Sequence, residues 1–298
     1  MRDIVTEAFI LLRNKFFDSA GKPIVFQLRP KRNTQDDPFD ELLAQELDAG
    51  LKEIKCVKAP GPLTTPDLVL FRPNLCHGST ASQLQDDIDR IVGVEVKKLE
   101  RTARGDVARA SGLDYNTTPP CGTIRLYDAR YKEVKIRCFY IFTCVETSKP
   151  GGTDQLISAL ALADGNLLNR DYDLYIRTVG ERQKRIELGS YGNGADRTRP
   201  MLIFGNPLGI PELDGKVTLV HPVSGLDKQD SALGLAYTIE RSLADNGTTV
   251  HYCYRLAADM PDNWQVGHLK DPFRTPIREQ RTRPRGKFVL PFTLSSSS

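Results

Sequence analysis

Apolar positions along residues 2–17 fall at Ile4, Ala8, Ile10, Leu11 and Phe16, a stripe that predicts a first helix. A second helix is expected over residues 40–51, where Leu42, Leu43, Leu47 and Leu51 follow the 3.6-residue period and Gly50 lies near the end. Pro60 and Pro62 then break the chain before a short β-rich run, Asp67 to Phe71, followed by a Gly/Ser/Asn/Pro loop from Arg72 to about Ser82. Residues 91–96 (IVGVEV) and 136–145 (IRCFYIFTCV) read as strands, separated by a basic, turn-rich segment at roughly 100–131. Apolar spacing predicts further helices over 153–169 and 227–244, and further strands over 172–178, 184–188, 200–204, 216–220 and 249–256. The expected fold is therefore α/β (α+β): a mixed central β-sheet flanked by helices, in a single domain over residues 1–294. Ser295 to Ser298 read as a disordered, low-complexity tail.

Composition narrows the class. The 298 residues are 40% hydrophobic and 27% charged, enough for a sizeable core. Lys and Arg exceed Asp and Glu by only three, so any basic surface must be local. No apolar run reaches bilayer length, so no membrane partner is expected. The opening MRDIVTEAFILLRNKFF carries acids at its third and seventh positions and does not read as a signal peptide. The six cysteines form no CxxC pair and the four histidines stand far apart, which excludes zinc-finger spacing. Cys138 and Cys144 lie in an apolar run and read as buried thiols of a cytoplasmic protein.

The sharpest chemical signal is Thr65-Pro66-Asp67 followed, 28 positions after the aspartate, by Glu95-Val96-Lys97. Side chains alternate along a strand, so Glu95 and Lys97 share one face while Val94 and Val96 point to the other. If the two runs pair, Asp67 meets Glu95 across the ladder. Two facing carboxylates repel unless a proton or cation lies between them. Mg²⁺ suits that position, being a hard cation that takes oxygen ligands and keeps several waters, and the Val96 carbonyl supplies a further oxygen. Lys97 beside such a metal can orient or help deprotonate an attacking water and neutralise charge on a phosphate.

These residues resemble the PD-(D/E)xK nucleases, and the size and layout are most similar to type II restriction endonucleases. The resemblance covers about residues 40–145 and implies a restriction-endonuclease-like core. It implies Asp67 and Glu95 as metal-binding residues and Lys97 as the catalytic lysine, with Mg²⁺ as cofactor and Mn²⁺ able to substitute. Many members add a glutamate from a preceding helix, for which Glu41 and Glu46 are both candidates. A cognate DNA methyltransferase is a partner expected from the resemblance alone. The 28-residue spacing is longer than the short hairpin of many members, and the Arg72–Ser82 loop absorbs the excess.

The charge distribution suggests a nucleic-acid partner, which the resemblance implies is double-stranded DNA. Residues 97–137 hold ten basic and five acidic side chains, a local excess larger than that of the whole chain. Within that stretch Lys98, Arg101, Arg104, Arg109, Asn116 and Thr117 are candidate DNA contacts, since Arg can bridge guanine and Asn adenine. A second basic cluster, Lys270 to Lys287, reads as an extended arm because Pro272, Pro276 and Pro284 interrupt it. Gly189 to Gly194 (GSYGNG) complete no phosphate-binding fingerprint and read as a hairpin turn. His251-Tyr252-Cys253 reads as core and rim, and Trp264 as a core anchor. The expectation is a Mg²⁺-dependent, sequence-specific, homodimeric endonuclease. The alternatives are a repair or recombination nuclease on the same core and a DNA-binding protein that makes no cut.

Overall fold

A computed structural model describes residues 2–32, 36–61, 64–101, 107–108, 114–117, 122–147, 154–167, 202–205, 216–242 and 247–269. Helix α1 (Ile4–Phe16) starts where the Asp3 carboxylate accepts the Thr6 N–H at 2.8 Å and ends with Arg13 and Lys15 in its last turn, as the helix dipole favours. Helix α2 (Pro38–Gly50) opens with Asp37 accepting the Phe39 N–H at 3.0 Å and proline at the first helical position. Of the four helices expected from periodicity, these first two are present. They meet closely: a Cβ at Gly50 would lie 2.6 Å from Leu11 Cδ1, so only glycine lets that leucine sit there.

The strands in chain order are β1 (Phe26–Gln27), β2 (Lys55–Lys58), β3 (Leu68–Phe71), β4 (Ile91–Arg101), β5 (Val107–Ala108), β6 (Asp114–Thr117) and β7 (Thr123–Tyr127). They continue with β8 (Glu133–Thr147), β9 (Asp154–Asp164), β10 (Leu202–Gly205), β11 (Val217–His221), β12 (Leu233–Ser242), β13 (Thr248–Leu256) and β14 (Gly267–Leu269). Twelve of them form one sheet in the order β14-β12-β13-β11-β9-β8-β4-β3-β2, with β1, β5 and β7 added on β9, β4 and β8; β6 and β10 pair separately. The sheet is mixed as expected: β4 runs parallel to β8 and β9 to β11, while β3–β4 and β8–β9 are antiparallel.

Helices α1 and α2 cover one face. Phe9, Leu12, Phe39, Leu43 and Leu47 bury against Leu68, Val92, Val94, Phe139, Ile141 and Leu162. The opposite face has its own apolar cluster, with Cys138, Tyr140, Phe142 and Cys144 of β8 beside Ala159, Ala161 and Ala163 of β9. Alternation along β4 therefore decides where its polar residues go. Val92, Val94 and Val96 point to the helices, leaving Glu95 and Lys97 on the other side, level with Tyr140 and Phe142 in the β8 register.

Two expected helices are strands. Residues 153–169 contain β9, and residues 227–244 contain a single helical turn at Leu226–Gln229 followed by β12. The Ala/Leu run of β9 carries high helix propensity, but its alternation sends Leu160 and Leu162 to one core and the alanines to the other. A register shift between Cys144 and Val145 places Ile157 on the leucine side despite its odd number, which disguises the period of two. The expected 72–82 loop contains two helical turns, Pro73–Cys76 and Ala81–Leu84. The expected strands at 200–204, 216–220 and 249–256 correspond to β10, β11 and β13. Those at 172–178 and 184–188, the GSYGNG turn, the basic arm at 270–287 and the 295–298 tail lie outside the described residues. Among the described residues, no helix is long and apolar enough to cross a membrane.

Candidate active site

The β3–β4 ladder fixes the site. Leu68 pairs with Val94 in antiparallel register, so Asp67, one residue before β3, stands opposite Glu95. The approach is tight at Gly93, where a Cβ would meet Pro66 Cγ at 3.1 Å and Ile124 Cγ2 at 2.9 Å. A larger residue would displace the Ile124 side chain and press on Pro66, the residue before Asp67. Asp67 Oδ2 accepts the Val96 N–H at 2.7 Å, closing the edge of β4 just beyond the end of β3. The N–H and C=O of one strand residue leave on the same side, so the Val96 carbonyl also faces the Asp67 edge.

Lys97 closes the triad. Its Nζ donates to Glu95 Oε2 at 2.7 Å and stands 3.8 Å from Asp67 Oδ2. The Thr65 hydroxyl donates to the other Glu95 oxygen. All three ionisable side chains are largely withdrawn from water, at 27% exposure for Asp67, 12% for Glu95 and 20% for Lys97. Burial and the Glu95 charge push the Asp67 carboxyl up to about 6. Burial opposes ionisation of Glu95 too, but the Lys97 charge and its hydrogen bond override it and hold Glu95 below its ordinary value. Lys97, despite its burial, is held above its ordinary value by Glu95, Asp67 and Asp40, so it is an ammonium at neutral pH.

A third acid belongs to this group. The Asp40 carboxyl is pushed up to about 7 by burial and by the charges of Asp37 and Asp67. The sequence reading passed over it in favour of Glu41 and Glu46, and the structure engages both of those elsewhere. Arg29 Nε donates to Glu41 at 2.9 Å, and Glu46 pairs with Lys15 at 2.9 Å across α1 and α2. The signal was present in the sequence: Asp40 stands three and seven positions before Leu43 and Leu47, on the buried stripe of α2, where a carboxylate has no reason to be on packing grounds alone. Thr65 carried no comparable signal.

The proposed DNA contacts are less closely grouped. Lys98 points to the helix side, with Nζ 3.7 Å from Asp37 Oδ1. Arg101 ends β4, and Asn116 and Thr117 lie on β6, paired with Ile203 and Leu202. Arg104 and Arg109 lie outside the described residues. His251 and Cys253 are buried, with His251 Nε2 3.1 Å from Asp164 Oδ2. Trp264 is half-buried, donating its indole N–H to the Ala236 carbonyl at 3.0 Å and packing edge-on against Tyr237.

The donor set suits a hard divalent cation. Two carboxylates are held together, one of them resisting ionisation because of burial and its neighbour's charge, and a carbonyl faces the same edge. Among the described residues no group of three His, Cys, Asp or Glu side chains could hold a metal, so protein carboxylates would supply only part of the shell. That is the usual arrangement for Mg²⁺, which binds one or two carboxylates and keeps waters.

No family model and no curated protein matches the chain. Among solved structures, the restriction endonuclease BglI bound to its DNA recognition sequence is similar over 68% of this chain and 81% of its own, at 12% identity and a TM-score of 0.27. A likeness that slight establishes neither family nor activity, so the functional reading rests on the residues of this chain.

Proposed function

We propose that this protein is a Mg²⁺-dependent endonuclease of double-stranded DNA, acting at a specific sequence in the manner of type II restriction enzymes. The observation that supports it is Asp67 standing opposite Glu95 with Lys97 Nζ within 4 Å of both carboxylates. Asp67, Glu95 and the Val96 carbonyl would hold the metal, Mg²⁺ or Mn²⁺ in its place. When bound, the metal supplies an activated water and stabilises charge on the departing 3′ oxygen. Water attacks phosphorus, the P–O3′ bond breaks, and the products carry a 3′ hydroxyl and a 5′ phosphate. Lys97 acts first as an ammonium that orients the water and offsets charge on the phosphate in the transition state. Glu95 fixes the ammonium, Thr65 fixes Glu95, and Asp67 anchors the edge of β4 through the Val96 N–H. A two-fold homodimer would place one such site on each strand of a symmetric target, with a methyltransferase protecting host DNA in the cytoplasm.

The test is digestion of phage DNA by the purified protein with Mg²⁺, with chelator, and by Lys97→Ala with Mg²⁺. Discrete bands that need the metal and vanish in the variant are expected. A smear lost in the variant would replace sequence specificity with a repair or recombination role. Intact duplex at all metal concentrations, on DNA of varied sequence, would contradict the nuclease reading.

A further inference from the structure

Strand β7 and the first rungs of β8 form a hairpin that the site chemistry does not use. Its register places Arg125 opposite Lys135 and Tyr127 opposite Glu133 on one face, with Ile124 opposite Ile136 and Leu126 opposite Val134 on the other. The apolar face turns inward. Ile136 is fully buried, and Ile124 packs on Gly93, two residues along β4 from Glu95. The outer face is exposed at Arg125, Tyr127 and Lys135, and the turn adds Arg130, Tyr131 and Lys132.

Two features of that outer face are unfavourable for folding alone. Arg125 and Lys135 are like charges directly opposite each other, an arrangement that destabilises a ladder. Glu133 is shared between them, 3.1 Å from Arg125 and 3.9 Å from Lys135, so one negative charge faces two positive ones. The second feature is the tip. Asp128 organises the turn by accepting the N–H groups of Arg130 and Lys132, each at 2.8 Å. Tyr131 then occupies φ 60°, the left-handed position where glycine or asparagine is the low-energy choice. The residue is 86% exposed, so burial does not offset that strain.

Resting on the nuclease reading above, we infer that this hairpin is an arm gripping the backbone of duplex DNA beside the cut. Arg125, Arg130, Lys132 and Lys135 face phosphates, and the Tyr131 ring lies against the sugar edge of a groove. Charge complementarity identifies the partner: a polyanion relieves the opposed Arg125 and Lys135 and rewards the strained tip. Position identifies the duplex at the active site, because the inner face of the hairpin is seated on the same glycine that admits Pro66 before Asp67. Five rungs span about 17 Å, half a turn of B-DNA.

The test is fluorescence anisotropy of a labelled, mixed-sequence duplex of about 30 base pairs, three helical turns, titrated in chelator over a salt series. Wild type is compared with the triple variant Arg130→Ala/Lys132→Ala/Lys135→Ala and with Tyr131→Gly, each checked by thermal melting. The triple variant is expected to bind at least about tenfold more weakly and to flatten the log–log salt dependence by roughly 2–3, near 0.9 for each lost phosphate contact. Tyr131→Gly is expected to melt at or above the wild-type temperature, since glycine takes the left-handed position freely, and yet to bind more weakly. A triple variant matching a DNA-binding wild type in affinity and slope would overturn the arm and leave the nuclease reading standing. A wild type that binds no duplex even at low salt would overturn both.

Discussion

Asp164 and Asp67 are both carboxylates drawn out of water at strand ends of one sheet, and their surroundings push them in opposite directions. Asp164 is fully buried and amply satisfied: Arg137 Nη2 lies at 2.7 Å, His251 Nε2 at 3.1 Å, and the Asn166 N–H donates at 3.1 Å. Burial opposes its ionisation, but His251 and Arg137 prevail and hold it below its ordinary value. Asp67 shares a single lysine with Glu95 and Asp40, and its carboxyl is pushed up to about 6. One acid has an arginine, an imidazole and a backbone N–H directed at it. The other is one of three neighbouring acids and has Lys97 as its cationic contact. Breaking a buried, paired cluster leaves its remaining members uncompensated, whereas an acid-rich one carries an electrostatic cost that a bound cation would remove.

The largest effect that follows is on stability. Asp164→Ala strands the Arg137 guanidinium and His251 in the interior and is expected to cost about 3–5 kcal/mol, seen in urea unfolding. A loss below about 1 kcal/mol would show that the cluster is not the paired one described.

The pH dependence of the metal-free protein separates the two clusters by sign. Asp164 has a folded-state pKa below its unfolded value, so its contribution is intact at neutral pH and disappears as pH falls below the ordinary carboxylate value of 3.8. Asp67 and Asp40 are raised, to about 6 and about 7, so the native state holds their protons longer and stability falls as pH rises from the ordinary value of 3.8 up through those values. Melting in chelator is therefore expected to be highest near about pH 4, with losses on both sides. A monotonic rise from pH 5 to 8 would break the comparison.

The smallest effect belongs to Asp40→Asn. It removes one acid while leaving the Asp67–Glu95–Lys97 contacts intact. Melting in chelator at pH 7.5 is expected to rise by less than about 1 kcal/mol, with cleavage kept within roughly tenfold of wild type. A hundredfold loss of cleavage would move Asp40 into the catalytic machinery.

How legible these regions were in the sequence follows from how far apart their parts lie. α1, α2, β4 and β8 announce themselves by local period, and Glu95 and Lys97 share a triplet whose alternation sets their common face. Asp67 could be joined to them only by assuming that consecutive strands pair, which the Leu68–Val94 register bears out. Asp40 is readable as a charge on an apolar stripe, but Glu41 and Glu46 match the residue type that the resemblance implies. The Asp164 cluster was not readable, since His251 lies 87 residues from Asp164 and only the order of β9, β11 and β13 brings them near. β9 and β12 read as helices because Ala and Leu favour helix locally, while burial between two cores decides for strand.

The most direct test of the central claim, that the Asp67 cluster is built for a cation, is the melting temperature of wild type and Asp67→Asn, each with Mg²⁺ and with chelator. In chelator at pH 7.5 the variant is expected to melt above wild type, because it removes a carboxylate that resists ionisation while keeping an acceptor for the Val96 N–H. Mg²⁺ is expected to raise the wild-type temperature and leave the variant unmoved. A variant that melts below wild type in chelator, with Mg²⁺ shifting both proteins equally, would contradict the account.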